Sequence, residues 1–305
     1  MTQHSRHIVI IGGNGFIGDE AVRQALASGH RVTSVGRSMK PSVEYAGAFD
    51  YVPGGLGALV DKAALVKTVD AVWHLASSTV PAQATADPRG DAQDNLLPLI
   101  TLLEEMRRLG QTRLLYLSSG GAIYGPPEQL PIPETHPLRP ASAYGATKLA
   151  AEAYIRLYQD MYGLRPVVIR PANPYGPGQQ KLGVLGAVTT FVNAALNNKP
   201  ITMWGDGSAV RDFVHVRDLV RLMLATLENP VIGAYNCGYG QGTSLNTLCD
   251  VVEDATGVKI MRNLQPARPF DPLKVVLDIS KAKRDLDWSP NITLAQGVAE
   301  LVTRS

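Results

Sequence analysis

HIVIIGGNGFIG, residues 7–18, is the stretch whose reading decides the fold. His7 to Ile11 is a short apolar run that predicts a strand, and the glycines follow it at once. From Phe16 onward the apolar residues fall at helical spacing, through Ala21, Val22, Ala25 and Leu26, and the pattern stops at Gly29. Strand, tight glycine turn and helix together form the corner that holds the phosphates of a dinucleotide. Gly12 permits the turn, Gly15 lets backbone approach a pyrophosphate, and Gly18 lets helix pack on strand. The helix then turns its unpaired N–H groups toward the anion. The spacing is G-x-x-G-x-x-G rather than G-x-G-x-x-G, so the reading rests on the flanking strand and helix as much as on the glycines.

Working outward, apolar runs alternate with helical patterns through the first 170 residues. Strands are expected at 7–11, 31–35, 49–53, 71–76, 113–118 and 165–170, with helices at 16–28, 58–68, 92–109 and 143–162. This alternation predicts an α/β fold, a doubly wound parallel sheet of the Rossmann type covered on both faces. Ligands of such sheets sit beyond the strand carboxyl ends. Four polar or glycine-rich segments follow expected strand ends: 12–18, 76–81, 118–124 and 171–178. After residue 170 the texture changes. Pro171-Ala-Asn-Pro-Tyr-Gly-Pro-Gly is loop chemistry, followed by a helix near 183–197, a strand at 200–204, a turn at Gly205-Asp-Gly and a helix at 216–228. The division expected is a dinucleotide-binding domain over 1–172, including parts of 210–240, and a smaller, interleaved substrate-binding α/β domain over 173–305.

The second strand ends at Gly36-Arg37, where a carboxylate would bind the 2′-hydroxyl of an adenosine ribose and repel a 2′-phosphate. Arg37 can pair with a 2′-phosphate, stack on adenine, or stand in solvent. NAD is the expected cofactor, and NADP stays open.

The chain has 305 residues, 45% of them hydrophobic, enough for a substantial core. A formal charge of +2 is too small to mark a nucleic-acid or membrane surface. No apolar stretch approaches the ~20 residues of a membrane span, and the N-terminus runs into a strand without a signal-peptide core. A cytoplasmic protein is expected. Cys237 and Cys249 show neither C-x-x-C spacing nor a disulfide framework, and read as buried thiols. The six histidines show no ligand spacing, so no metal is expected; His215 reads as a structural histidine.

Tyr144 and Lys148, in Ala-Tyr-Gly-Ala-Thr-Lys, stand at i and i+4 on one helix face. A tyrosine has an ordinary pKa near ~10, so half ionisation at neutral pH needs a drop of about 3 units, or roughly 4 kcal/mol. A lysine one turn away and the positive ring of an oxidised nicotinamide both act in that direction. Such a phenolate takes a hydroxyl proton while a hydride leaves the carbon.

The sequence resembles the extended short-chain dehydrogenase/reductases, nucleotide-sugar epimerases in particular. The resemblance runs nearly end to end through GGNGFIG (12–18), HLA (74–76), LSSGGAIYG (117–125), YGATK (144–148), RPANPYGPGQ (170–179), RDFVHVRDL (211–219), YNCG (235–238) and ARPFD (267–271). It implies that Tyr144 is the acid/base and that Lys148 holds the nicotinamide ribose and lowers the Tyr144 pKa. It implies a cofactor-binding set of Gly12, Gly15, Phe16, Ile17, Gly18, Arg37, Leu56, Leu75, Ala76, Asn95, Ser118 and Pro171, together with Tyr144 and Lys148. Asn173 is expected on the substrate pyrophosphate. Arg211 and Arg268 are expected to neutralise its phosphates, and Asp271 to bind the nucleotide ribose. Asn95 matches a position that steadies the active site. A homodimer, in which the helices near 92–109 and 143–162 of the two copies pack as a four-helix bundle, is also implied.

The chain departs from the family at one catalytic position. Relatives carry Ser or Thr four residues before the tyrosine of the Tyr-Gly pair, and here that position is Gly120. Ser119 is one residue earlier, and alternation along a strand would turn it away unless a loop bend presents it. Otherwise Tyr144 contacts the sugar directly, or a water fills the gap. Ser119 is taken as the candidate. The family's 4,6-dehydratases need an Asp-Glu pair where this chain has Gly121 and Ala122, so dehydration is not expected. The function that these residues point to is a nucleotide-sugar 4-epimerase acting on a UDP- or dTDP-hexose through a 4-keto intermediate. The alternatives are an NADPH-dependent 4-keto-sugar reductase and a non-catalytic dinucleotide-binding protein.

Overall fold

The computed structural model describes residues 5–304 apart from 61–62, 80, 183–185 and 268–271. The first glycine corner forms as its sequence predicts, with strand β1 (His7–Ile11) running into helix α1 (Phe16–Ala27). The apolar residues of α1 that set its spacing, Ala21, Val22 and Ala25, are all buried. Strands β2 (Arg31–Gly36) and β3 (Phe49–Pro53) follow, then two short helices, α2 (Gly55–Val60) and α3 (Ala63–Thr68), where one helix over 58–68 was expected. Strand β4 (Ala71–His74) stops two residues short of the expected end.

The region before the next strand is more broken than its apolar pattern suggests. Helices α4 (Pro81–Ala86) and α5 (Pro88–Asp91) lead through a π turn at Ala92–Leu96 into α6 (Leu97–Leu109). Asp87 caps α5 by accepting from the Gly90 N–H, and Pro88 and Pro98 each open a helix where a missing N–H costs nothing. Strand β5 (Arg113–Leu117), helix α7 (Ala143–Tyr162) and strand β6 (Arg165–Pro171) come next. Helix α7 keeps the expected bounds because Ser142 caps its start and Gly163, at φ +71°, closes its end.

Beyond β6 come β7 (Asn173–Tyr175), α8 (Ala187–Leu196), β8 (Ile201–Trp204), β9 (Val210–His215), α9 (Val216–Glu228) and β10 (Gly233–Cys237). The tail adds β11 (Gly242–Ser244), α10 (Leu245–Thr256), β12 (Arg262–Gln265), β13 (Lys274–Val275), α11 (Ser280–Leu286) and α12 (Leu294–Thr303).

The main sheet has seven parallel strands in the order β10-β6-β5-β4-β1-β2-β3. Chain direction along the sheet reverses between β1 and β4, whose Ile8 and Ala71 are in register. That switch point is where a doubly wound sheet opens a crevice for a dinucleotide. Buried residues fill both faces of the sheet, Ile8, Ile10 and Trp73 on one side and Val9, Val72 and Leu114 on the other. A four-stranded sheet places β9 between β11 and β13, with β7 also pairing β9, and β8 pairs β12 separately. A third core of Phe191, Val192, Phe213, Leu248 and Leu301 packs beneath these smaller sheets.

Candidate active site

The dinucleotide corner is closed by contacts that only glycine allows. Gly12 stands at φ +94°, and a Cβ there would lie 2.8 Å from the Ala76 backbone nitrogen. A Cβ on Gly18 would lie 2.0 Å from the Gly12 carbonyl oxygen, so α1 rests directly on the turn. Gly15 is the N-cap of α1 and supplies no side-chain cap, leaving first-turn N–H groups free for an anion. The Gly12 N–H donates to the Val35 carbonyl (2.8 Å) and the Leu75 N–H to the Ile11 carbonyl (3.0 Å), which ties β2 and the end of β4 to the same corner. Phe16 and Leu75 are buried, Ile17 packs on the core of one face of the sheet, and Ala76 and Leu56 pack on the other. This cradle fits a dinucleotide diphosphate.

Tyr144 and Lys148 extend from the first two turns of α7 to the carboxyl edge of the same sheet. Lys148 is buried, and its Nζ donates to the Leu117 carbonyl at 2.9 Å. That nitrogen lies 5.7 Å from the Tyr144 ring centroid and 4.9 Å from that of Tyr116. Burial pushes the lysine down to about 8, against the raising effect of Asp91 and Glu152. Tyr144 goes the other way from the expectation. Burial first, and the Asp91 carboxylate second, push its phenol up to about 12, while hydrogen bonding to Ser119 lowers it. The ammonium is engaged with a carbonyl, so it does not by itself outweigh the loss of water around the phenol.

Ser119 therefore lies within reach of Tyr144. The chain leaves the extended state after Leu117, the Gly120 N–H donates to the Pro171 carbonyl at 2.8 Å, and the Ile123 N–H donates back to the Ser119 carbonyl at 3.2 Å. In this turn the alternation of a strand no longer governs. A Cβ on Gly120 would lie 2.6 Å from a Leu277 methyl and 2.9 Å from the Arg170 carbonyl oxygen, so the fold leaves no room there for the usual Ser or Thr. Ser118 faces another partner. It is buried and donates to Glu152 at 2.5 Å, and Glu152 also pairs with the buried Arg170 at 2.6 Å.

Asn95 sits in the π turn. Its Oδ1 accepts from the Ser78 N–H (2.8 Å) and its Nδ2 donates to Asp91 Oδ1 (2.9 Å), fixing the loop after β4. Asp91 was missed in the sequence. It is buried, the Thr79 hydroxyl also donates to its Oδ1, and its Oδ2 has no hydrogen-bond partner among the described residues. Its charge acts on both Tyr144 and Lys148. A carboxylate one helical turn before Asn95 was the available signal.

The substrate-side candidates lie on the small sheet. Asn173 starts β7, two residues beyond Pro171, and its amide donates to the Asp212 carbonyl at 2.9 Å. Arg211 is on β9, opposite Thr243 and Val275, and its guanidinium donates to the Val210 carbonyl at 2.9 Å. Arg268 and Asp271 lie outside the described residues. Asp212, buried between these candidates, accepts from the N–H groups of Tyr239 (2.6 Å), Leu277 (3.2 Å) and Gly240 (3.3 Å). His215 has the structural place expected, capping α9 by accepting from the Arg217 N–H at 3.2 Å. Both cysteines are buried and free. Among the described residues no cluster of three or more His, Cys, Asp or Glu could hold a metal ion, and no helix is long and apolar enough to cross a membrane.

With this geometry in hand, comparison with known proteins gives the class. Residues 8–238 match the model of the NAD dependent epimerase/dehydratase family, and the chain belongs to that family. It is 33% identical over 304 residues to a putative UDP-glucose 4-epimerase of Methanocaldococcus jannaschii, covering 97% of each chain. Among solved structures it is similar to the UDP-glucose 4-epimerase of Thermotoga maritima with UDP-glucose (32% identity, 97% of each chain, TM-score 0.87). It is also similar to the Thermus thermophilus UDP-glucose 4-epimerase in complex with NAD (31% identity, 97% of this chain and 98% of that one, TM-score 0.85).

Proposed function

We propose that this chain is an NAD-dependent nucleotide-sugar 4-epimerase acting on a UDP- or dTDP-hexose. The observation that carries the reading is the placing of Tyr144 and Lys148 at the carboxyl edge of the sheet, the Lys148 Nζ on the Leu117 carbonyl at 2.9 Å and 5.7 Å from the Tyr144 ring centroid, with Ser119 beside the phenol. NAD, when bound, supplies a reversible hydride acceptor. Tyr144 takes the proton of the C4 hydroxyl and later returns it, and the Ser119 hydroxyl supports the phenolate. Lys148 holds the cofactor ribose and keeps positive charge near the phenol. The cost of ionising a phenol pushed up to about 12 falls on the assembled complex, so turnover waits for both ligands.

Asn173 and Arg211, with Arg268 and Asp271, hold the nucleotide diphosphate. The sugar remains free to turn so that its other face meets the cofactor, a use of remote binding energy. Gly121 and Ala122 bring no carboxyl group to a neighbouring carbon, so the keto intermediate is not dehydrated. The test is proton NMR of C4 configuration in UDP- and dTDP-hexoses incubated with the protein and NAD. Inversion supports the reading, and a full panel left unchanged by folded protein overturns it.

A 4-keto-sugar reductase is the second reading, favoured by Gly36-Arg37 at the end of β2. Net NADPH consumption with a 4-keto sugar would select it; catalytic cofactor selects epimerisation. The same proposal includes a cytoplasmic location, the division into a 1–172 part with pieces of 210–240 and an interleaved 173–305 part, and a homodimer. Leu157 and Met161 on α7 and Leu97 on α6 are exposed apolar residues suited to such a pairing. A monomeric mass in solution scattering would remove the dimer from the proposal.

A further inference from the structure

The turn that carries Ser119 is shaped by a residue far along the chain that takes no part in the proposed chemistry. Ser119 and Gly120 stand where the chain leaves β5. A Cβ on Gly120 would lie 2.6 Å from a Leu277 methyl, so that methyl fills the place a side chain at 120 would take. Leu277 is completely buried and shares a small core with Ile123, Tyr124, Ile132, Ala172 and Val275. Ile123 closes the other end of the turn, where its N–H donates to the Ser119 carbonyl at 3.2 Å.

Leu277 is itself pinned from both sides. Its own N–H donates to the buried Asp212 carboxylate at 3.2 Å. The Ile132 N–H donates to the Val276 carbonyl (2.8 Å) and the Asp278 N–H donates back to the Ile132 carbonyl (2.8 Å). Asn236 Nδ2 donates to the Asp278 carbonyl at 3.1 Å, and its Oδ1 accepts from the Tyr124 hydroxyl at 2.7 Å. Two residues before Leu277, Val275 stands opposite Arg211 in the small sheet. With its own backbone and both neighbours held, the leucine side chain has little freedom to move away from Gly120, and a close-packed contact transmits that fixity to the turn.

We propose that Leu277 is the positioning residue for Ser119: its methyl, held in place from the small sheet, presses the turn at Gly120 into the shape that presents the Ser119 hydroxyl to Tyr144. A side chain at 120 would need the space that Leu277 fills, so the serine at 119 and the leucine at 277 act as a pair. The small sheet thereby does more than hold the nucleotide end of the substrate, because the strand beside Arg211 also sets the geometry of the proton-transfer site. The inference deepens the epimerase reading and rests on it for the role of Ser119.

Leu277→Ala opens a hole against Gly120 and is read first without turnover. In hydrogen exchange followed by mass spectrometry, peptides spanning 118–124 should exchange about tenfold faster than in the native chain, while peptides of α1 keep their rates. Unchanged exchange over 118–124 would overturn the proposal. Should Leu277→Ala fail to fold, Leu277→Val carries the same comparison with a smaller gain in rate. In turnover, kcat should fall about ten- to hundredfold with the sugar-nucleotide KM held within about twofold, and Leu277→Met should recover most of the loss. Ser119→Ala should then cost less than about threefold in the Leu277→Ala background, because the hydroxyl is already out of place. Additive losses would overturn the pairing of Leu277 with Ser119. A folded native chain that inverts no hexose would remove the epimerase reading, and the exchange rates would still decide whether Leu277 holds the turn.

Discussion

The seven-stranded sheet and the four-stranded sheet hold the two ends of the proposed substrate path by different means. In the large sheet each site segment follows a parallel strand, so the connectivity βα, repeated, delivers Gly12, Gly36, Leu75, Ser118 and Pro171 to one edge. The small sheet joins four short segments that start at residues 173, 210, 242 and 274. Its pairing is too brief to hold itself, and the buried Asp212 carboxylate gathers three backbone N–H groups from outside β9. One region is ordered by repetition along the chain, the other by one charged hub.

The sharpest way to separate the regions is through chemistry alone. Tyr144→Phe should lower the epimerisation rate by about 10²–10⁴ while cofactor affinity, read by calorimetry, and folding are retained. If turnover survives, the sheet edge is not where the proton moves. Gly18→Val attacks the large region's geometry instead. Its side chain would enter at 2.0 Å from the Gly12 carbonyl oxygen, so cofactor binding should be lost. Thermal unfolding should report a cost of about 3 kcal/mol.

Asp212→Ala is the matching test for the small region. Loss of three charge-assisted hydrogen bonds should cost about 2–3 kcal/mol and raise the sugar-nucleotide KM more than it lowers kcat, with cofactor affinity unchanged. Equal damage to cofactor affinity would mean the regions are not separately organised.

A smaller effect comes from pH, because each region buries a histidine held far below its ordinary pKa. Burial holds His74 at the end of β4 and His215 at the end of β9 down to about 4. A depressed folded pKa means that the unfolded chain binds the extra proton. The stability is therefore fully present above pH ~6.5 and is lost as pH falls toward 4, by about 2 kcal/mol for each histidine. Urea unfolding at pH 7 and at pH 4.5 measures the slope, and His74→Gln should flatten it. An unchanged slope would mean His74 is not held neutral.

Much of the large region was legible in the sequence. Alternating apolar periods gave β1, β3, α7 and α9 their bounds, since caps such as Ser142 and Gly163 are local signals. The glycine corner was readable because each glycine answers a steric need that recurs with the motif. The breaks at α2 and α3 and at the π turn before α6 were not readable, because the same apolar stripe fits one long helix or two short ones. Ser119 was readable only as an alternative. Its direction depends on a turn fixed by the Gly120–Pro171 bond, between residues 51 positions apart.

By itself, then, the sequence determined the glycine corner, the parallel sheet and the placing of Tyr144 and Lys148 one turn apart on one helix, because these depend on residue type and on spacing within a turn or two. Only the tertiary structure decided the charge environment of that pair and the shape of the adenosine corner. Burial and the Asp91 carboxylate raise Tyr144 to about 12, and the Tyr51 hydroxyl seals Gly36. Both effects come from residues distant along the chain, and their strength falls with separation in space rather than in sequence.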